Sequence, residues 1–201
     1  KVVKDCRKYV DKVIVVDDGS FDYTGKIAKK AGATVIRHII NLGKGNSLIT
    51  GCESALLEKA SKIIILDGDG QHDPNEISNF INKLKDYDIV FGKRQNLSNM
   101  PLSSRLGNIV LPFLTKIIFK VKVSDTQSGY RAFSAETYKK IKWVTGGYAV
   151  ENEIIARVGK NNLSYTEIPI KTIYNDNYKG TTFIDGIKIL ISMILWRLTW
   201  Y

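Results

Sequence analysis

The stretch from Lys62 to Pro74, KIIILDGDGQHDP, decides the fold class of this chain and points to its chemistry. An apolar run of strand length ends in two carboxylates, Asp67 and Asp69, which one glycine separates. Carboxylates this close repel each other and are costly to bury, so such pairs commonly hold a cation. Pro74 is typical of the first position of a helix. The stretch predicts a buried strand, an acidic turn that holds a divalent ion against nucleotide phosphates, and then a helix.

Similar strand-then-helix units surround this stretch. Apolar, β-branched runs predict strands at 13–16, 34–37, 63–66, 88–91 and 164–170. Apolar periodicity predicts helices at 22–31, 45–59, 74–85, 103–120, 147–158 and 182–201. Residues 124–133 predict a further strand or extended segment. This alternation is typical of an α/β fold with a mostly parallel central sheet and helices on both faces. Ligands of such sheets bind beyond the carboxyl ends of the strands.

The composition fits one globular domain with an anionic partner. The chain has 201 residues, of which 44% are hydrophobic and 25% charged, and a net charge of +10. Such a charge favours nucleic acid, a membrane surface or phosphorylated substrates. No interleaved aromatic and basic motif supports nucleic acid. Cys6 and Cys52 fit no metal-ligand spacing, which predicts buried, reduced thiols in a cytosolic setting.

Two polar turns at predicted strand ends are candidate nucleotide contacts. Asp17 and Asp18 end the first strand, where a carboxylate accepts hydrogen bonds from a base or ribose, or else caps the next helix. Lys44 lies in the glycine-containing turn 41–46 at a helix start, where free backbone N–H groups favour phosphate. The spacing is not that of a P-loop.

A calcium-binding EF-hand loop and a plain solvated turn are the alternatives for the acidic turn. His72 stands where an EF-hand needs glycine, Ser78 stands where it needs glutamate, and a strand precedes the turn. We therefore reject the EF-hand. A zinc site is excluded as well, because no cysteine or histidine cluster accompanies the chain's two histidines.

The second half of the chain carries candidate anion-binding residues. Arg94 follows a predicted strand, Arg105 lies a little beyond, and Asp125 and Arg131 lie on either side of a glycine turn. Arginine grips phosphate with two parallel hydrogen bonds, although surface charge is the alternative for each arginine. Residues 151–153 place two glutamates at a helix start, which favours capping or ion pairing, with a role near an acceptor as the alternative.

Taken together, these residues make the chain resemble the family-2 glycosyltransferases of GT-A fold. Among them it resembles the polyprenyl-phosphate (dolichyl-phosphate) sugar synthases. The resemblance covers roughly residues 10–170 and rests on five motifs in the family's order: VVDDGS (15–20), NLGKG (41–45), DGDGQHDP (67–74), GKR (92–94) and DTQSGYRAF (125–133).

The resemblance implies roles for these positions. The nucleotide sugar would be bound by Asp17, Asp18, Lys44, Asp67 and Asp69, with Asp18 at the base and Asp67 at the ribose or sugar. Mg²⁺ or Mn²⁺ would be ligated by Asp69 and Gln71. The acceptor phosphate would be held by Arg94, Arg105 and Lys179. The catalytic set would be Asp125, Arg94 and Arg131, with Asp125 close to the reacting carbon.

Three departures from the family pattern limit this transfer. The family's opening strand is missing from this chain, which suggests a start inside the domain. Lys179 stands where the family has an arginine, and as a point charge it does not reproduce a forked grip. The Gln-x-x-Arg-Trp signature of processive synthases is missing as well, which favours single transfer over chain building.

The resulting prediction is a catalytic domain at 1–180 and an amphipathic helix at 181–201 that lies in a membrane interface, or alternatively packs on the core. We expect a metal-dependent, inverting enzyme that moves one sugar from a UDP- or GDP-sugar to a polyprenyl phosphate. It would be peripheral on the cytoplasmic face of the membrane and would not bind nucleic acid. One alternative is a hydroxyl acceptor with Asp125 or Glu151 as base. Another is a non-catalytic module that binds nucleotide or membrane.

Overall fold

The computed structural model describes residues 1–95, 102–147, 149–171 and 183–200, without the side chains of 102–108 and 183–185. The strands are β1 Ile14–Asp17, β2 Thr34–Arg37, β3 Lys62–Ile65, β4 Ile89–Arg94, β5 Arg131–Ser134 and β6 Tyr165–Ile170. The helices are α1 Val2–Cys6, α2 Thr24–Lys30, α3 Lys44–Leu57, α4 Ile77–Lys83, α5 Leu102–Phe119, α6 Ala135–Ile141, α7 Val150–Lys160 and α8 Phe183–Trp200. The predicted α/β class is confirmed.

The described strands form two sheets. β1 and β2 pair in parallel, and the other four strands lie in the order β3-β5-β4-β6. β4 and β6 are parallel, whereas β5 runs antiparallel to both β3 and β4. No strand among the described residues joins the two sheets.

β5 makes the four-stranded sheet mixed, which the expectation of a mostly parallel sheet did not include. The extended segment predicted at 124–133 becomes a strand only from Arg131, and residues 120–130 form irregular chain. Antiparallel strands can be connected without a crossover helix. β5 lies between β3 and β4 and runs in the opposite direction to both.

Helices cover both faces of the larger sheet, as predicted. β4 shows the alternation directly: Ile89 and Phe91 join one core cluster, while Val90 joins the other. The first cluster lies against α5, α7 and α8, and the second against α4 and the N-terminal segment. All three side chains are fully buried, and burying each one contributes about 1.5–3 kcal/mol to folding.

The C-terminal helix α8 packs on the same core as the rest of the chain. Ile189, Met193 and Trp196 lie in the first cluster, so one face of the helix has the packing role considered as its alternative. The expected boundary at 180/181 lies outside the described residues. In the part of the chain that the structure describes, no helix is both long and apolar enough to cross a membrane.

Both cysteines are free and buried, as predicted. Burial raises the pKa of the Cys6 thiol to about 11 and that of Cys52 to about 12. Both thiols therefore stay protonated near neutral pH, and Cys52 packs as a small apolar group in the first cluster.

Candidate functional site

Three elements converge where β3 ends. Asp67 follows β3, Lys44 begins α3, and Glu151 lies in the first turn of α7. The ammonium Nζ of Lys44 lies 2.9 Å from Oδ1 of Asp67 and 2.8 Å from Oε1 of Glu151. Two of the three lysine donors thus meet carboxylates. We call these three residues the strand-end cluster.

A glycine lets the cluster close. A Cβ atom at Gly129 would lie 2.8 Å from Oδ2 of Asp67 and 3.0 Å from Nζ of Lys44. Real Cβ atoms are not found that close to such atoms, so a side chain at 129 would push the ion pair apart. Glycine at 129, in the irregular chain just before β5, therefore permits the close approach of this pair.

Lys44 and Asp67 stay charged around neutral pH. Burial alone would lower the pKa of Lys44, but Glu151 and Asp67 outweigh it and raise that pKa above its usual range. Burial alone would raise the pKa of Asp67, but the charges of Lys44 and Arg131 help to hold it below its usual value. A negatively charged ligand therefore meets a fixed lysine cation and a fixed carboxylate at this edge.

His72 lies next to Asp67 and holds its backbone by a hydrogen bond. The backbone N–H of Asp67 donates to Nδ1 of His72 at 3.1 Å, and the imidazole lies 5.1 Å from the Tyr130 ring. Burial lowers the pKa of His72, so the ring is neutral near pH 7 and Nδ1 remains an acceptor. In the sequence, His72 counted against a calcium loop and a zinc site and formed part of the 67–74 motif, and no local pattern indicated this hydrogen bond.

Asp18 orders the turn that carries Lys44. Its Oδ1 accepts hydrogen bonds from the Leu42 N–H at 2.9 Å and from Nδ1 of His38 at 2.7 Å, and its Oδ2 accepts one from the Gly43 N–H at 2.9 Å. Burial alone would raise the pKa of Asp18, but these donors outweigh it and lower the value. Asp18 was expected to contact the base of the nucleotide, and in the structure both of its carboxylate oxygens accept hydrogen bonds from the protein itself.

A further set of hydrogen bonds holds the start of α3. The Gly45 N–H donates to the carbonyl of Gly146 at 2.7 Å, and the Trp143 indole N–H donates to the Gly45 carbonyl at 2.9 Å. The backbone N–H groups of Val144 and Thr145 donate in turn to the fully buried Glu153. Glu153 also forms an ion pair with Arg157 and does not cap α7, so both helix-start glutamates have the ion-pairing role that was predicted as the alternative to capping.

Arg94 and Asp125 form a closed, forked pair. Nε of Arg94 donates to Oδ2 of Asp125 at 2.7 Å and its Nη2 to Oδ1 at 2.8 Å, while the Arg94 N–H adds a third bond at 3.1 Å. Burial alone would raise the pKa of Asp125, but the Arg94 fork outweighs it and holds that pKa below its usual value. The structure thus brings these two predicted residues together, each as the other's partner.

Arg131 lies beneath the strand-end cluster. Its guanidinium is buried and donates to the backbone carbonyls of Thr126, Ser128 and Glu151 at 2.8–3.1 Å. Burial lowers the pKa of Arg131 to about 10, which still leaves it charged near pH 7. Arg131 joins the 126–128 turn to the start of α7 and adds positive charge under Asp67.

Asp17 and Asp69 differ in burial. Asp17 is buried, with Oδ1 accepting from the Ser20 N–H at 2.9 Å and Oδ2 lying 3.8 Å from Nε of Arg37 without a hydrogen bond. Asp69 is exposed, and its Oδ1 accepts from the Gln71 N–H at 2.9 Å. The side chain of Arg105 and all of Lys179 lie outside the described residues.

A comparison with known protein families decides what this site belongs to. Residues 1–142 match the family model described as glycosyl transferase family 2. The chain belongs to this family. The glycosyltransferase is 33% identical over 217 residues to the UDP-N-acetylglucosamine–dolichyl-phosphate N-acetylglucosaminyltransferase of Methanococcus voltae, covering 94% of this chain and 86% of that protein. It is 29% identical over 161 residues to a dolichyl-phosphate hexose transferase of Haloferax volcanii, covering 78% of this chain and 68% of that protein.

Solved structures confirm the predicted GT-A type of fold for the glycosyltransferase. The glucosyl-3-phosphoglycerate synthase of Mycobacterium tuberculosis, crystallised with Mn²⁺, UDP and glucosyl-3-phosphoglycerate, superposes with a TM-score of 0.75. The match covers 98% of this chain and 73% of that chain at 20% sequence identity. At that identity the likeness concerns the fold alone.

The oxygen ligands at the candidate site of the glycosyltransferase can supply part of the coordination shell of a divalent ion. Among the described residues no group of three or more histidine, cysteine, aspartate or glutamate side chains could hold a metal. Asp69 is exposed and Gln71 half-buried, and both offer hard oxygen ligands. Mg²⁺ commonly takes one or two protein ligands and completes its shell with water and substrate phosphate. Asp69 and Gln71 therefore suit an ion that arrives with a diphosphate.

Proposed function

We propose that this glycosyltransferase moves one sugar from a UDP-sugar to a polyprenyl (dolichyl) phosphate, with inversion at the anomeric carbon. The observation that carries the proposal is the strand-end cluster, a charged and partly open site at the carboxyl end of β3. Such edges are where sheets of this kind bind nucleotides. The uridine donor and the dolichyl acceptor are supported by the printed name of the Methanococcus voltae relative.

The donor diphosphate would lie beside Lys44, Asp67 and Asp69. Lys44 is a partly exposed cation at this edge, and a lysine binds phosphate as a point charge. Mg²⁺ or Mn²⁺ on Asp69 and Gln71 would neutralise the leaving diphosphate when bound. Asp17 and Asp18 would contribute from the end of β1, with Asp18 acting through the turn that carries Lys44.

A phosphate acceptor fits this site better than a hydroxyl acceptor does. A hydroxyl needs a general base, and the two candidate bases are both engaged: Asp125 by the Arg94 fork and Glu151 by Lys44. The lowered pKa of Asp125 makes it a still weaker base. A phosphate monoester has a second pKa of about 6 and is already an anionic nucleophile near neutral pH.

The protein's own part in the reaction is then orientation and charge. Arg94 and Asp125 fix the end of β4, and Arg131 ties the 126–128 turn to α7, so that the reacting groups meet a rigid surface. Arg105 and Lys179 complete the proposed acceptor-phosphate set. A lipid acceptor also places the enzyme at the cytoplasmic face of a membrane, as a peripheral protein.

A transfer assay tests this proposal. The protein is incubated with Mn²⁺ and radiolabelled UDP-N-acetylglucosamine, UDP-glucose or GDP-mannose, with and without dolichyl phosphate. We expect label in the organic phase only with dolichyl phosphate present and from a uridine donor. Label on added soluble glycans would instead support a hydroxyl acceptor. The absence of transfer from every donor, with nucleotide affinity unchanged in Asp69→Ala, would leave a binding module.

A further inference from the structure

His38 is a nearly buried histidine that has no role in the reaction proposed above. It follows β2 directly, and its side chain is 10% exposed. Its Nδ1 lies 2.7 Å from Oδ1 of Asp18, and its Nε2 lies 3.0 Å from Oγ1 of Thr50. Both ring nitrogens are therefore engaged, one with the residue that follows β1 and the other with α3.

The first of these hydrogen bonds fixes which ring nitrogen carries a proton. Burial alone would raise the pKa of Asp18, but the hydrogen bonds from His38 and the backbone outweigh it, so the carboxylate is ionised near neutral pH and can only accept. Nδ1 of His38 is therefore the donor, and such a charge-assisted bond is stronger than one between neutral groups. The Thr50 hydroxyl can donate to Nε2 or accept from it, so the second contact persists whether the ring is neutral or protonated.

Asp18 passes this restraint to the turn before α3. Its two oxygens accept hydrogen bonds from the Leu42 and Gly43 N–H groups, each at 2.9 Å. Gly43 has a φ of 91°, in the left-handed region that favours glycine. Glycine adopts several backbone conformations with similar ease, so hydrogen bonds from outside the turn select this one. The next residue, Lys44, is the first of α3.

His38 also holds the neighbouring elements directly. Its backbone N–H donates to the Asp17 carbonyl at 2.9 Å, at the end of β1. Thr50, the partner of Nε2, lies in α3 six residues after Lys44. His38 thus joins the end of β1, the turn 41–43 and the helix that carries Lys44. A shift of that helix would move the Lys44 ammonium away from the two carboxylates of the strand-end cluster.

We propose that His38 is a positioning residue of the donor site, which acts through Asp18 to hold Lys44 where the nucleotide diphosphate binds. This proposal rests on the proposed function, because that function assigns the diphosphate to Lys44. In this role the imidazole acts without touching the donor. Misplacing a binding group by about 1 Å costs up to about a hundredfold in rate, so a residue behind the site can control donor binding.

Two conservative variants separate the two contacts of the ring. His38→Asn places an amide N–H near the position of Nδ1 and keeps a donor for Asp18, whereas His38→Gln reaches toward the position of Nε2 and keeps only a partner for Thr50. His38→Ala removes both contacts. Ser164→Ala is the matched control, because it removes a hydrogen bond of 2.7 Å to another carboxylate, that of Asp88, at the opposite ends of β4 and β6.

The test combines transfer kinetics with UDP calorimetry, both with Mn²⁺ and the full chain, and uses a short, water-soluble isoprenyl phosphate as acceptor. In His38→Ala and His38→Gln we expect the KM for the UDP-sugar to rise and the affinity for UDP to fall about tenfold, as for loss of one hydrogen bond to a charged group. His38→Asn should recover most of this loss. The KM for the acceptor should stay unchanged, and Ser164→Ala should match wild type.

Hydrogen exchange gives a readout that does not depend on the reaction. The Leu42 and Gly43 amides should exchange faster in His38→Ala than in wild type and in Ser164→Ala, because Asp18 holds them less firmly. A variant that is merely less stable contains fewer active molecules, which lowers kcat and leaves both KM values unchanged. The rise in one KM therefore distinguishes positioning of the donor from stabilisation of the fold.

Three results would overturn the role of His38: a fall in kcat alone with wild-type UDP affinity, equal UDP affinities in His38→Asn and His38→Gln, or unchanged exchange of the Leu42 and Gly43 amides in His38→Ala. Should His38→Ala fail to fold, the Asn and Gln variants decide in the same way, with exchange measured in His38→Gln. A wild type that binds UDP through His38 but transfers no sugar would refute the proposed function and leave this role standing. A wild type that binds no UDP would refute both.

Discussion

Two ion pairs, one at the carboxyl end of β3 and one at that of β4, differ in access to solvent. The side chains of Lys44 and Asp67 are 27% and 34% exposed, whereas those of Arg94 and Asp125 are 10% and 4% exposed. The first pair holds its charges where a ligand can reach them. The second pair is closed by two side-chain hydrogen bonds and one backbone bond. This difference in access supports ligand binding for Lys44 and Asp67, the proposed binding pair, and a structural role for Arg94 and Asp125, the brace.

The largest expected effect is a loss of folding stability when one member of the Arg94–Asp125 pair is removed. Asp125→Ala leaves the Arg94 guanidinium without its forked partner in a buried place, and removing one member of such a pair costs about 3–5 kcal/mol of unfolding free energy. Urea unfolding measures the loss. Replacing both members by apolar groups, Arg94→Met with Asp125→Leu, should restore most of it. A double variant as unstable as Asp125→Ala would contradict the role of a brace.

The binding pair should show the reverse pattern. Asp67→Asn removes a charge from the ligand-facing edge, and we expect sugar transfer to fall about 10²–10³-fold, as when one preorganised electrostatic group is removed. Because the pair is partly exposed, its effect on unfolding free energy should be below about 1 kcal/mol. Kinetics and urea unfolding of the same preparation check both halves. Near-normal transfer with a large loss of stability would reverse the assignment of the two pairs.

A smaller effect is expected at Gly129, the glycine that approaches the Lys44–Asp67 pair. Gly129→Ala places a Cβ within 3.0 Å of Lys44 Nζ and nearer still to Asp67, so the binding pair must shift. A displacement of this kind costs up to about a hundredfold in rate. Gly147→Ala is the matched control, since a Cβ there meets nothing within 4 Å. Equal transfer rates in the two variants would show that close approach at Gly129 is unimportant.

The smallest effect concerns acid stability. The folded-state pKa of Asp125 lies below its ordinary value of 3.8, so the stability from its pair is fully present above about pH 4 and is lost as the pH falls through the folded value. Unfolding free energy of wild type should therefore fall more steeply below pH 4 than that of Asp125→Asn. Parallel slopes in urea titrations across that range would contradict the lowered pKa.

The sequence predicted most elements because their signals are local. β-branched runs such as 13–16 and 34–37 coincide with strands to within a residue or two, and glycine- or proline-containing turns separate them from helices. The segment 124–133 was predicted as a strand or extended chain, and β5 forms at its end, whereas α6 was not predicted. The direction of β5 depends on pairing with β3 and β4, which are distant in sequence, and no local pattern encodes it.

The sequence predicted which residues lie at the candidate site better than it predicted their contacts. Asp67 and Lys44 were both expected to bind the donor, but their ion pair joins two elements 23 positions apart in the chain, and Glu151 enters from a third. Arg94 and Asp125 were each expected to face a ligand, whereas the structure pairs them with each other. The positions of charged residues in the sequence identify candidates for the site. Which of these residues form ion pairs with one another depends on how the sheet and helices pack.

The most direct test of the central claim is a calorimetric titration with UDP in the presence of Mn²⁺. Wild type should bind, Asp69→Ala and Asp67→Asn should bind at least tenfold more weakly while remaining folded, and removal of Mn²⁺ should weaken wild-type binding in the same way. Unchanged affinity for UDP in both variants would contradict the claim that the nucleotide diphosphate binds at the end of β3.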